Sequence, residues 1–180
     1  MGNESAIIMP IAEVEPIVGK LRLEYDKAAR LGVPAHVTLL YPFRPPQAAI
    51  GEIEALREFF NSTEPFQFFF TEVRHFPATA YLHPDNSERF IRIIHALLKR
   101  WPDCRPYNGA FPDIVPHLTV AHNVGKEILD AVDNSVRQNV PIRCVAREAW
   151  LLVSDSTGFW SKQASFLLSA AALRNDTGAT

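Results

Sequence analysis

Two short segments constrain this chain more than anything else in it. "GVPAHVTLLYPF" (residues 32–43) and "DIVPHLTVAHNV" (residues 113–124) share one arrangement: a proline just ahead of His, aliphatic, Thr, aliphatic. They lie about 80 residues apart. The apolar–polar alternation reads as a strand in each case. Residues two apart on a strand share a face, so His36 and Thr38 point one way while Val37 and Leu39 point the other. The same holds for His117 and Thr119 against Leu118 and Val120. A fold that accommodates both must bury one face of two separated strands and leave an imidazole and a hydroxyl on the other face of each.

The flanking periodicities give the remaining elements. Residues 5–11, "SAIIMPI", read as a first strand. Val14, Ile17, Val18, Leu21 and Tyr25 recur at helical spacing between Glu13 and Arg30, and Gly32 stands where a C-terminal cap belongs. The first His strand is closed by Pro42, Pro45 and Pro46, and a helix over 47–60 follows with Ile50, Ile53, Leu56 and Phe60 on one side. Strands at 65–73 and 78–83 form a hairpin across the turn-like "RHFP". Asp85 and Glu88 match a capping box, starting a helix that runs to about Trp101 and buries Phe90, Ile94, Leu97 and Leu98. A loop rich in Pro, Gly and Asn (102–116) leads to the second His strand and a helix over 125–138. Strands at 142–153 and 160–169, joined by "SDSTGF", close the chain.

This order is a loose internal duplication: helix, His strand, helix, strands occurs twice. It predicts an α+β fold of two pseudo-symmetric lobes of antiparallel-rich sheet, with outer helices and a central cleft, rather than a doubly wound parallel sheet. The 180 residues suit one bilobal domain over 1–173, and the small, polar segment 174–180 is expected to be a flexible tail. A chain of this size buries roughly 70% of its unfolded surface and needs no disulfide. Cys104 and Cys144, far apart and outside any Cys-x-x-Cys pattern, read as buried thiols in a reducing compartment. The N-terminus lacks the pattern of a signal peptide, and no apolar run approaches the roughly 20 residues that span a bilayer. A cytoplasmic monomer without membrane contact is expected. A formal net charge of −2 offers no basic stripe for coating a long nucleic acid. A nucleic-acid partner would be met at an end or over a few nucleotides.

If the two lobes face each other, their cleft holds two imidazoles and two hydroxyls. That inventory suits acid–base chemistry at a phosphate. A neutral imidazole can take a proton from the attacking oxygen while a protonated one supplies the leaving oxygen. The threonine hydroxyls can donate to non-bridging oxygens as charge builds on them. Neither a metal nor a cofactor is required. A single His-x-Thr is a weak pattern, and two other readings stay open. The same cleft could bind a nucleotide or phosphorylated metabolite without turning it over, or the histidines could sit in separate cores. Two copies, each with a proline ahead and aliphatics behind, favour the reactive cleft.

The stretches "VPAHVTLLYPF" and "VPHLTVAH" resemble the paired motifs of the two-histidine (2H) phosphoesterases, and most of all their 2′-5′ RNA ligase and cyclic phosphodiesterase branch. The resemblance covers nearly the whole chain in length, element order and motif spacing. It implies that His36 and His117 are the catalytic pair and that Thr38 and Thr119 bind the phosphate. It also implies metal-free opening of 2′,3′-cyclic phosphates on an RNA terminus or nucleotide, with reverse ligation to a 2′-5′ bond in some members.

Tyr41, Phe76 and Tyr81 are the candidate substrate-binding aromatics. Phe76 and Tyr81 belong to a central hairpin that could border the cleft, whereas Tyr41 falls out of phase with His36, which favours a core or rim place. His75, His83, His95 and His122 show no ligand spacing, so no zinc site is expected. The absence of a Gly-rich phosphate loop and of a Gly-x-Ser-x-Gly elbow removes nucleoside triphosphatase and serine hydrolase readings.

Overall fold

A computed structural model describes residues 3–169, so the expected flexible tail at 174–180 lies outside the described residues. Eight strands form two antiparallel sheets. They are β1 (Ser5–Pro10), β2 (His36–Leu40), β3 (Phe66–Phe76), β4 (Thr79–Pro84), β5 (Leu118–His122), β6 (Ile142–Ala146), β7 (Glu148–Ser154) and β8 (Trp160–Leu167). One sheet has the order β2-β1-β7-β8 and the other β5-β4-β3-β6. Each His strand is therefore an edge strand, and the two edges touch.

The packing explains why these edges meet. β1 is apolar on both faces: Ile7 and Met9 enter the main core, while Ala6 and Ile8 meet Val33 and Leu152 in a smaller cluster. Val37 and Leu39 from β2 share that main core with Leu118 and Val120 from β5. Removing these aliphatics from water, at about 25 cal/mol per Å² of apolar surface, drives the two sheets together behind the His–Thr face.

Six α-helices cover the sheets: α1 (Glu15–Tyr25), α2 (Lys27–Arg30), α3 (Pro46–Gly51), α4 (Ile53–Asn61), α5 (Ser87–Arg100) and α6 (Lys126–Arg137). α5 buries Phe90, Ile93, Ile94 and Leu97, the spacing of one helical face.

Four departures from the sequence expectations concern the helices and the crossing between sheets. The helix expected to run unbroken from Glu13 to Arg30 is split at Asp26, which is extended (φ −123°, ψ 111°) and caps α2 by accepting from the Ala28 N–H. The helix expected over 47–60 is divided around Glu52, which leaves Ile50 exposed and Ala49 buried. No capping box forms at Asp85, because its carboxylate accepts from the Phe69 N–H and ties the helix entry to β3. The strand expected over 142–153 is two strands. β6 pairs with β3, then the chain crosses at Arg147 and β7 pairs with β1 in the other sheet. Glu13 marks this crossing, accepting from the Val145 N–H and pairing with Arg147.

Cys104 and Cys144 are buried free thiols. Among the described residues, no helix is long and apolar enough to cross a membrane.

Candidate active site

The alternation expected for the two motifs is present in the fold. His36 and Thr38 are half-buried on one face of β2 while Val37 and Leu39 are buried on the other. His117, just ahead of β5, and Thr119 are likewise half-buried, with Leu118 and Val120 behind them. The two rings are close enough for His117 to act electrostatically on His36.

Both imidazoles are anchored in the same way. His36 Nδ1 lies 2.8 Å from the carbonyl of Pro34, and His117 Nδ1 lies 2.7 Å from the carbonyl of Val115. A carbonyl can only accept, so each Nδ1 carries the proton and each Nε2 is left with a lone pair. The purpose of the proline ahead of each motif becomes visible here. In the second motif Pro116 restricts Val115 to extended backbone and so helps turn its carbonyl toward the ring, whereas in the first the accepting carbonyl belongs to Pro34 itself, whose φ its own ring fixes. On the β2 side, Nε2 meets the Thr38 hydroxyl at 3.2 Å, which donates to it in the neutral state.

Electrostatics separate the two rings. Burial pushes His36 down to about 4, and the Arg22 guanidinium and His117 add to this, while the Pro34 carbonyl and Asp26 oppose it. His117 is also lowered, mainly by burial and further by His122, against the hydrogen bond its ring donates to the Val115 carbonyl. At neutral pH the empty site therefore holds two neutral imidazoles. Negative charge placed between them would favour protonation of one.

The flanks are aromatic. Phe76 stacks on Tyr81 with ring centroids 4.3 Å apart, and each meets the edge or face of His117 at 5.2 Å. Tyr81 is registered opposite Thr119. This placement depends on β3 being longer than the sequence suggested. "RHF" continues the strand to Phe76, and only Pro77 and Ala78 form the turn, with Ala78 at φ +63°. Tyr41 goes elsewhere. Its ring packs against Tyr107 and Trp160 at 5.9 and 6.1 Å, and burial together with Glu4 pushes its hydroxyl up to about 12.

Sequence reasoning missed four participants. Tyr107 donates its N–H to the Tyr41 carbonyl at 2.6 Å, and its hydroxyl lies beside that of Thr38. It lies in the Pro/Gly/Asn loop at φ +49°, where no periodicity marks it. His83, half-buried beside Arg74 and Glu72, also senses His117, and its Nδ1 has no hydrogen-bond partner. Arg22 and Asp26 form a buried ion pair at 2.8 Å behind β2, with side chains 2% and 6% exposed. A signal for this pair existed: Arg22 and Asp26 extend the Val14, Val18 spacing of four, placing two charges on an apolar stripe. Among the described residues, no three of His, Cys, Asp and Glu gather as metal ligands would.

The family model of the 2′-5′ RNA ligase superfamily matches residues 10–158. The chain belongs to that superfamily. Among solved structures, E. coli LigT complexed with NADP+ superposes at TM-score 0.59 with 14% identity, covering 93% of this chain and 98% of LigT. E. coli LigT complexed with 3′-AMP superposes at 0.59 with 12% identity, covering 93% and 99%. TT0787 of Thermus thermophilus superposes at 0.60 with 16% identity, covering 92% and 97%. At these identities the likeness is one of fold, and it matches the two-lobed α+β expectation. No curated protein sequence matches the chain significantly.

Proposed function

We propose that this superfamily member is a cytoplasmic, metal-independent phosphoesterase that opens 2′,3′-cyclic phosphates on an RNA end or a nucleotide. The observation that carries the reading is the matched anchoring of His36 and His117, which leaves one Nε2 lone pair on each side of the cleft. One imidazole takes the proton of an attacking water. The other, protonated in the presence of the phosphate charge, gives its proton to the departing ribose oxygen. The P–O bond to that oxygen breaks as the P–O bond to water forms, leaving a phosphomonoester beside a free hydroxyl. Thr38 and Thr119 donate to the non-bridging oxygens. With a ribose 5′-hydroxyl in place of water as the attacking nucleophile, the same ring opening joins two ends through a 2′-5′ bond.

Phe76, exposed enough to be reached and stacked on Tyr81, is the natural platform for the base. The nucleotides held by LigT support a nucleotide ligand for this fold. Tyr41 contributes at the rim, through Tyr107 and not by touching the phosphate. A near-neutral chain suits a short ligand better than a long polyanion.

The test is to incubate the protein with 2′,3′-cyclic AMP and follow products by phosphorus NMR. Monoester signals should appear, survive EDTA, and fall about 10²–10⁴-fold in His36→Ala and in His117→Ala. Perturbed substrate signals without monoester would instead identify a binding module. Full turnover in either variant would remove the two-histidine mechanism.

A further inference from the structure

The two His strands belong to different sheets, so something must fix the gap between their imidazoles. The off-face aliphatics bring the strands together, but apolar contacts are non-directional and set no register. The polar contacts do. Arg22 Nε donates to the carbonyl of Thr119 in β5 at 3.1 Å, and another guanidinium nitrogen donates to the carbonyl of Val33, on the approach to β2, at 3.4 Å. Its third nitrogen donates to Asp26 at 2.8 Å, and Asp26 is itself fixed by capping α2. One planar side chain thus joins the backbone of both motifs from a third element, α1.

The segment it grips is fully accounted for. The Val33 N–H goes to the Ala28 carbonyl, the Pro34 carbonyl takes the His36 ring, and the Ala35 carbonyl takes the Ile11 N–H. The Ala35 N–H goes to Glu15 at 2.7 Å, also from α1. Every backbone polar group from 33 to 35 has a partner, which holds His36 to one position. The second motif has no such cradle, and Val115 is 36% exposed. Among the described residues, the Arg22 bond to Thr119 is what ties β5 back to that cradle through α1. A buried ion pair of this kind contributes little net stability over an apolar pair of the same volume, so its retention calls for another reason.

We propose that Arg22, braced by Asp26, is a positioning residue that sets the separation of the His36 and His117 imidazoles. The proposal rests on the phosphoesterase reading, because the separation matters only if both rings act on one phosphate. A clamp acts on chemistry more than on binding, since misplacement by about 1 Å can cost 10²-fold in rate. The titratable groups acting on His36 are Arg22, Asp26 and His117, and Arg22 exerts the largest effect of the three.

The experiment compares three proteins on 2′,3′-cyclic AMP: wild type, Asp26→Asn, and the double variant Arg22→Met with Asp26→Asn. The double variant leaves no buried charge unpaired and retains an acceptor to cap α2. Per folded molecule, its kcat should fall about 10–100-fold with KM changed by less than about threefold. Imidazole titration by NMR supplies a readout that folding defects alone would not produce. His36 should titrate higher than wild type in the double variant and lower in Asp26→Asn, which keeps the cation and loses its counter-charge. Retained kcat with unmoved titrations would overturn the clamp. If the double variant does not fold, Asp26→Asn decides on both readouts: unchanged kcat with an unmoved His36 titration overturns the clamp. A wild type inert toward the cyclic nucleotide would bring down the phosphoesterase reading instead, and the two titrations would still judge the electrostatic half of the clamp.

Discussion

Protonating His36 is a perturbation whose cost follows from the structure. The imidazole has an ordinary value of 6.5, and burial, with Arg22 and His117, lowers it to about 4 in the folded protein. As pH falls, the unfolded chain takes up this proton near 6.5 while the folded chain waits until about 4. Within that window the unfolded state binds more protons, so the folded state loses stability on acidification. The contribution is fully present above about 6.5 and gone by about 4. At about 1.4 kcal/mol per pH unit its ceiling is about 3 kcal/mol, trimmed because the half-buried ring keeps some contact with water. Urea unfolding of wild type and His36→Asn at about pH 7.5 and about pH 4.5 isolates the effect, since carboxylates and other histidines titrate alike in both proteins. Asn can still donate to the Pro34 carbonyl but cannot gain a proton. Wild type should therefore lose about 2 kcal/mol more than the variant between the two conditions. Equal losses in the two proteins would refute the claim that His36 is held neutral by its surroundings.

Two further outcomes follow from the site geometry. Thr38→Val and Thr119→Val should each lower kcat by about 10²-fold or more, with smaller effects on KM, if their hydroxyls meet charge that develops in the transition state. Steady-state kinetics on a 2′,3′-cyclic nucleotide checks this, and a pure KM effect would count against it. Phe76→Ala should weaken nucleotide binding by about 1–3 kcal/mol, measured by calorimetric titration with 3′-AMP. It should leave a small phosphodiester without a base almost unaffected.

Much of this arrangement was legible because it repeats in local sequence. The alternation around His36 and His117 gave the strands, the shared face and the apolar backing, and the order of elements gave two antiparallel lobes. What escaped was set by contacts distant in sequence. Nothing in "CVAREAWLLV" breaks a strand, yet the chain changes sheets at Arg147 because β3 and β1 lie in different layers. Asp85 matches a capping box locally but is drawn to the Phe69 N–H, a partner 16 residues away. Asp26 ends a helix whose apolar spacing continues, because pairing with Arg22 and capping α2 outweigh helical continuity. Tyr107 sits in a loop whose composition gives no period, and only the fold carries it to Thr38.

The two motifs are near copies in sequence and unlike in surroundings, and this asymmetry bears on the division of labour. Burial and the Arg22 cation favour the neutral His36 ring, and the Thr38 hydroxyl meets its Nε2. His117 is flanked by Phe76 and Tyr81, whose π faces and edges oppose a proton less than a nearby guanidinium does. When a phosphate raises both rings, His117 should hold a proton first. In the proposed hydrolysis His36 is then the base toward water and His117 the acid toward the departing ribose oxygen, with the roles exchanged when a 2′-5′ bond is cleaved back to the cyclic phosphate. Leaving-group chemistry tests this directly. An aryl phosphodiester with a p-nitrophenyl leaving group departs without protonation, so it should restore much of the activity lost in His117→Asn and little of that lost in His36→Asn. Equal rescue of both variants, or rescue of His36→Asn alone, would reverse or remove the assignment.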